Sequence, residues 1–164
     1  MGQVFFGECD TPVGLVGVLA GPDGVRRLGW RLNRHGAAAE PNETVRAALG
    51  QLGEYFTGQR RDFDLPLEWP RLEPTTATVL RALMCVGYGE TVTYGELASR
   101  SGIGVPARAI GSIMAANPWP IIVPCHRVVA ADGLGGYSGG ERGHELETKR
   151  WLLENEGALP PVLV

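Results

Sequence analysis

The chemistry in this chain is concentrated at Cys125-His126-Arg127, at the end of Asn117-Pro-Trp-Pro-Ile-Ile-Val-Pro. Pro118, Pro120 and Pro124 forbid regular helix there and stiffen the path. A cysteine on a rigid turn beside a histidine is a candidate nucleophile; the alternative is a buried, inert thiol. Nucleophilic work needs a thiolate, and a free thiol of pKa near 8.5 is only about 3% ionised at pH 7. A positive neighbour, a helix N-terminus or a proton acceptor must supply the difference. His126 and Arg127 are at hand, although side chains of adjacent residues point different ways. Cys9 and Cys85 are expected to be core cysteines, one closing a strand and one following an apolar helix run.

Glu156 is the second unusual residue. It falls at the C-terminus of a helix expected over Leu146 to Asn155 and stopped by Gly157, where a carboxylate opposes the helix dipole at about 0.3–1 kcal/mol. It is either a solvated surface acid or a partner for His126. The second reading makes a Cys–His–Glu relay of nucleophile, base and orienting group. The glycine-rich Gly135-Gly136-Tyr137-Ser138-Gly139-Gly140 has no Lys-Ser/Thr ending and so is no phosphate loop. It reads as a flexible lid offering Tyr137 and Ser138 to a ligand.

The elements that must position these groups fall into two regions, 1–72 and 73–164. In the first, Val4–Cys9, Gly14–Ala20 and Val25–Trp30 read as short strands, separated by turn signals at Asp10–Pro12 and Pro22-Asp23-Gly24. Asn42 is a plausible N-cap for a helix with Val45, Leu49, Leu52 and Phe56 at helical spacing, stopped by Gly58. In the second, Thr75 or Thr76 can cap a helix carrying Val79, Leu83 and Val86. Thr93 and Glu96 form a capping box for a short helix ending near Gly102. Pro106 suits the first position of another helix. Helix, glycine-bearing turn, helix is the helix-turn-helix layout of DNA-binding proteins. On its second helix Ile110, Ile113 and Met114 are apolar, while Arg108, Gly111, Ser112 and Ala115 share the opposite side. That side is one long cation among very small residues, suited either to a nucleic-acid groove or to a neighbouring helix.

Bulk properties narrow the class. The 164 residues are 44% hydrophobic and 20% charged, which can build a core. No apolar run is long enough to span a membrane, and Met1 to Phe6 lacks a signal-peptide layout. Three scattered cysteines without a CxxC pair argue against a disulfide framework or structural zinc. A cytosolic protein without metal or cofactor is expected. The net charge of −3 is unusual for a nucleic-acid binder. From Arg81 to Arg127, however, four Arg face two Glu, a local +2, consistent with DNA binding of shallow salt dependence.

These motifs resemble the O6-alkylguanine-DNA alkyltransferases. The matching residues are Asn117 to Val129, Tyr137-Ser138-Gly139-Gly140, Arg150 to Gly157, Gly89 to Ala98, and Arg108-Ala109-Ile110-Gly111. Residues 73–157 resemble the family strongly and 11–66 loosely. The resemblance implies a small N-terminal RNase H-like α/β domain followed by a C-terminal winged helix-turn-helix domain. It implies single-turnover transfer of an alkyl group from O6-alkylguanine in double-stranded DNA to Cys125, after base flipping from the minor groove. Arg108 would fill the gap left by the base, Tyr94 would press on the adjacent phosphate, and Met114 would line the pocket. Tyr137 and Ser138 would hydrogen-bond the leaving oxygen. His126 would act through water as base, Glu156 would orient it, and Asn117 would brace the cysteine turn. A monomer is expected, with cooperative binding to DNA left open.

The chain departs from the family pattern in carrying Glu141 to Thr148 between Gly140 and Lys149, several residues more than usual. Pro106-Ala107 also stands where an alanine pair is usual. Three other functions compete. A non-catalytic lesion-binding relative would replace the reactive cysteine, which this chain retains. A cysteine hydrolase would need a distant histidine, for which His35 and His144 are poor candidates. A helix-turn-helix transcription factor would need regulatory length that this chain lacks.

Overall fold

A computed structural model describes residues 2–34 and 36–159; His35, one of the two distant histidines considered above, lies outside them. The chain forms two compact units, Met1–Pro70 and Arg71–Val164.

The first unit is an antiparallel meander with one helix. Strands β1 (Phe5–Thr11), β2 (Gly14–Gly21) and β3 (Gly24–Trp30) pair in chain order. The β2–β3 turn is tight because Gly24 takes φ +140°, and a Cβ there would strike the Pro66 carbonyl. Helix α1 (Glu43–Phe56) starts at Asn42, whose side chain accepts from the Val45 amide at 2.9 Å. It buries Val45, Ala48, Leu52 and Tyr55, and it packs on all three strands. Val16, Val18, Val25 and Leu28 complete this core.

The second unit is helical. Its elements are α2 (Pro74–Leu83), β4 (Val92–Thr93), α3 (Tyr94–Ser101), α4 (Ala107–Ala115), β5 (Val128–Val129) and α5 (Glu145–Asn155). The expected threonine cap of α2 is not used. Pro74 occupies the first turn, Glu73 precedes it, and no side chain caps the end; proline suits that position because its missing N–H would be unpaired there anyway. The helix ends at Leu83, so Cys85 lies in the turn beyond it and is exposed, and Cys9 is half-buried. Neither is the core cysteine that sequence position suggested. The capping box of α3 is complete: Glu96 N donates to Thr93 Oγ1 at 3.0 Å and Thr93 N donates to Glu96 Oε1 at 2.7 Å. Gly102 ends α3 at φ 72°. Pro106 is the N-cap of α4 and not its first residue, with ψ 149° holding the chain extended before the helix begins. Strands β4 and β5 pair in parallel, Val92 against Val128 and Thr93 against Val129. The segment after Cys125 is thereby tied to the start of α3. The core of this unit holds Val79, Leu80, Leu83, Leu97, Ile110, Trp119, Ile121, Val123, Leu152 and Leu153.

Candidate active site

The turn that carries Cys125 is built by Asn117. Its Nδ2 donates to the Val123 carbonyl at 2.8 Å and its Oδ1 accepts from the Trp119 amide at 2.9 Å. One buried carboxamide thus closes both sides of the proline-rich loop. The loop contains strain: Ile121 sits at φ 78°, a region that costs a β-branched residue about 1–3 kcal/mol. Burial of Trp119, Ile121 and Val123, each 1% exposed or less, holds it there. The loop runs into a 3-10 turn, Cys125–Arg127, all three residues of which are buried.

His126 and Glu156 meet as the relay reading requires, with Nε2 and Oε2 2.7 Å apart and both side chains fully buried. Burial would raise the Glu156 carboxyl. The hydrogen bond and charge of His126 and the bonds and charge of Arg127 outweigh it, holding the group at about 2. Glu156 is therefore ionised at neutral pH. A carboxylate only accepts, so Nε2 carries the imidazole proton and Nδ1 keeps a lone pair. Nδ1 is buried and has no hydrogen-bond partner among the described residues. Burial pushes the His126 pKa below the usual imidazole range, with Arg127 and Lys149 acting the same way and Glu156 opposing. The histidine is neutral and can take a proton.

Cys125 differs from the expectation of a lowered pKa. Burial raises it; the hydrogen bond from Asn117, the charge of Lys149 and its own backbone N–H oppose that rise without reversing it. At rest the group is a thiol, and its ionisation needs a proton acceptor.

The structure brings Cys125, Tyr94, Met114, Tyr137 and Ser138 together, with Gly111 and Gly136, around a cavity of about 140 Å³. Arg108 does not line it. It borders an adjoining, more open apolar hollow with Tyr94, Ala107 and Gly111. The expected two faces of α4 hold: Ile110 and Ile113 are buried, and Arg108, Gly111, Ser112 and Ala115 are exposed. A side chain at Gly111 would enter the space shared by the two hollows, which accounts for a glycine inside a helix. The lid is held at Gly136. Its amide donates to Tyr94 Oη at 3.2 Å, and its carbonyl accepts from Lys149 Nζ at 2.8 Å. The extra residues after Gly140 form a turn closed by His144 N on the Glu141 carbonyl, and they place His144 at the N-terminus of α5.

Sequence offered Arg127 only as a cation near Cys125, and it did not single out Lys149. Arg127 is buried and grips Glu156 through two nitrogens. Lys149 is fully buried and donates to Val128 O at 2.6 Å as well as to Gly136; desolvation lowers its pKa to about 8. A cation next to the His126 motif and a carboxylate at a helix C-terminus were the available signal for the Arg127–Glu156 pair. Nothing local marks Lys149 as buried.

Residues 74–158 match the family model described as 6-O-methylguanine DNA methyltransferase, DNA binding domain. A DNA base-flipping protein of Thermus thermophilus is 40% identical over 151 residues, 91% of this chain and 97% of that protein. A methylated-DNA–protein-cysteine methyltransferase of Mycolicibacterium paratuberculosis is 39% identical over 161 residues, covering 90% and 88%. Among solved structures, a Mycobacterium tuberculosis O6-methylguanine methyltransferase superposes with TM-score 0.82 at 34% identity, covering 97% of this chain and 96% of that one. The Mycobacterium tuberculosis OGT solved in complex with DNA gives 0.81 at 36%, covering 94% and 93%. The chain belongs to the 6-O-methylguanine DNA methyltransferase family.

Proposed function

We propose that this protein repairs DNA by moving an alkyl group from O6-alkylguanine onto Cys125, once per molecule. The observation that carries this is a buried thiol lining a cavity, followed in the chain by a neutral, carboxylate-oriented histidine. Relatives named for the same reaction support it, as does the similar OGT solved with DNA. In the reaction the Cys125 proton passes to His126 Nδ1, through a water as the family resemblance implies. Sulfur attacks the alkyl carbon in line, the S–C bond forms, and the C–O6 electron pair leaves with the base. Tyr137 and Ser138, at the cavity wall, stabilise that oxygen, and the guanine anion takes up a proton at N1 as keto guanine is restored. The thioether at Cys125 has no route back to a thiol, so the protein is consumed.

Delivery of the base depends on α3 and α4. Tyr94, the first residue of α3, borders both hollows and presses on the phosphate of the flipped nucleotide. Arg108 takes the place of the extruded base. The likeness to a protein named for base flipping is consistent with this step. The protein works in the reducing cytosol, where its free thiols persist; no helix among the described residues is long and apolar enough to cross a membrane.

Incubation with duplex DNA bearing O6-methylguanine is expected to add one methyl group to the intact mass, mapped to the Cys125 peptide. Cys125→Ser should abolish the transfer and keep DNA binding. Tight lesion binding by the native protein with no mass change would establish a lesion-binding protein instead.

A further inference from the structure

Arg127 sits inside the protein with every arm of its guanidinium engaged. Nε donates to Glu156 Oε1 at 2.8 Å, Nη2 to Glu156 Oε2 at 3.1 Å, and Nη1 to the Val86 carbonyl at 2.6 Å. Its guanidinium carbon lies 5.9 Å from the Tyr88 ring centroid, and the Tyr88 hydroxyl in turn donates to the Asn155 carbonyl at 3.2 Å. The arginine therefore joins the turn after α2, the C-terminal end of α5 and the nucleophile turn. Glu156 Oε2 is the atom that matters, because it receives both His126 Nε2 and Arg127 Nη2.

We propose that Arg127 is a positioning residue of alkyl transfer, whose fork fixes the Glu156 carboxylate and divides its charge so that His126 rests neutral with Nδ1 open as a base. This rests on the alkyl-transfer reading above. The physical case is a competition for one carboxylate. Alone with His126 in the protein interior, Glu156 would hold a second proton on the imidazole as an ion pair. The histidine would then be saturated before the thiol needed it. A guanidinium engaged through two bonds neutralises the carboxylate while leaving it an acceptor. Burial favours the neutral form of His126 most, and the charged groups that act on it besides are Glu156, Arg127 and Lys149. Two are cations that disfavour imidazolium, and Arg127 is the one that also holds the carboxylate. The same pairing resolves why an acid stands at a helix C-terminus: its charge is answered by an arginine, not by the helix.

The test is a histidine ring NMR titration of the full chain, run beside single-turnover transfer rates from pH 5.5 to 8.5. There are three histidines, so His126→Asn identifies the signal. In native protein His126 should stay neutral through this range. In Arg127→Gln a protonation step should enter this range and leave about a third or less of the histidine neutral at pH 6. Transfer at pH 6 should then fall at least about threefold more than at pH 8. Arg127→Lys retains the charge and loses the fork, so it should keep the native titration while transferring about tenfold more slowly at every pH. Arg127→Lys at the native rate overturns the positioning role. A folded Arg127→Gln whose His126 midpoint is unmoved, with rates reduced equally at all pH values, overturns the electrostatic one. If Arg127→Gln does not fold, Arg127→Lys alone decides. Should the native protein transfer no alkyl group, the repair reading fails, while the NMR titration still decides what Arg127 does to His126.

Discussion

At the scale of single residues the site is a set of matched burials. Cys125 is held as a thiol, His126 as a neutral imidazole and Glu156 as a carboxylate, although all three are buried. Only groups that offset one another can share such a space. The acid side of stability follows from the same shifts. The folded His126 pKa is lowered from 6.5, so below 6.5 the unfolded chain takes that proton first and stability falls. Glu156 is lowered from 4.5 to about 2, so its contribution is complete above 4.5 and is lost as pH falls toward 2. For Glu156→Gln we expect a protein less stable at pH 7 by about 3–5 kcal/mol, since Arg127 is left buried without its anion. Its stability should also change less with pH between 5 and 3 than that of the native protein. Urea unfolding at pH 7, 5 and 3 would measure both; parallel pH dependences in the two proteins would refute the assignment of that window to Glu156.

At the scale of elements the main task is to bring Tyr94 and Met114 to the cavity wall. Tyr94 is the first residue of α3, so the capping box that starts this helix also aims its side chain. An eight-residue helix has little intrinsic stability, and its N-terminus depends on Thr93. Thr93→Ala should cost about 1 kcal/mol and should free the Tyr94 hydroxyl from the Gly136 amide, weakening lesion binding as well. A denaturation midpoint equal to the native one would show that the cap is not limiting. The lid has its own constraint at Gly140, where φ is 86° and a Cβ would lie 2.6 Å from Thr148 Oγ1. The Glu141 to Thr148 segment thus departs from a fixed hinge. Its added length is accommodated in the exposed turn ahead of α5.

At the scale of the whole molecule the charge balance was read from sequence as a local +2, and the structure revises it. Arg127 is buried on Glu156 and contributes nothing to a DNA-facing surface. Arg100 is paired with Glu90 at 3.0 Å on the surface. Arg81 and Arg108 are the other two cations of that stretch. With net charge −3, we expect binding to draw less on phosphate neutralisation and more on the extruded base and the small-residue face of α4. The logarithm of DNA affinity should therefore fall with the logarithm of salt with a slope no steeper than about −2, corresponding to about two phosphates neutralised. Fluorescence anisotropy between 50 and 300 mM salt would measure it, and a slope near −5 would mean that cations outside this stretch reach the DNA.

The sequence by itself determined most of the local structure, because local signals act over three or four residues. The Asn42 cap, the Thr93–Glu96 box, the Gly102 stop and the two faces of α4 are all of that kind. The proline-stiffened turn also marked Cys125, and the awkward carboxylate at a helix end marked Glu156. What sequence misplaced were boundaries and burial. Pro74 displaced the threonine cap, Pro106 stopped one residue short of the helix, and Cys85 fell outside the helix that was to bury it. Tertiary structure alone decided the relay. Glu156 lies 30 residues from His126, and their 2.7 Å contact exists only because α5 ends against the nucleophile turn. Arg127 could have faced DNA or the interior; its sequence position beside His126 is the same in either case. Packing turned it inward onto Glu156, and burial, which no local pattern encodes, set the protonation states of Cys125 and His126.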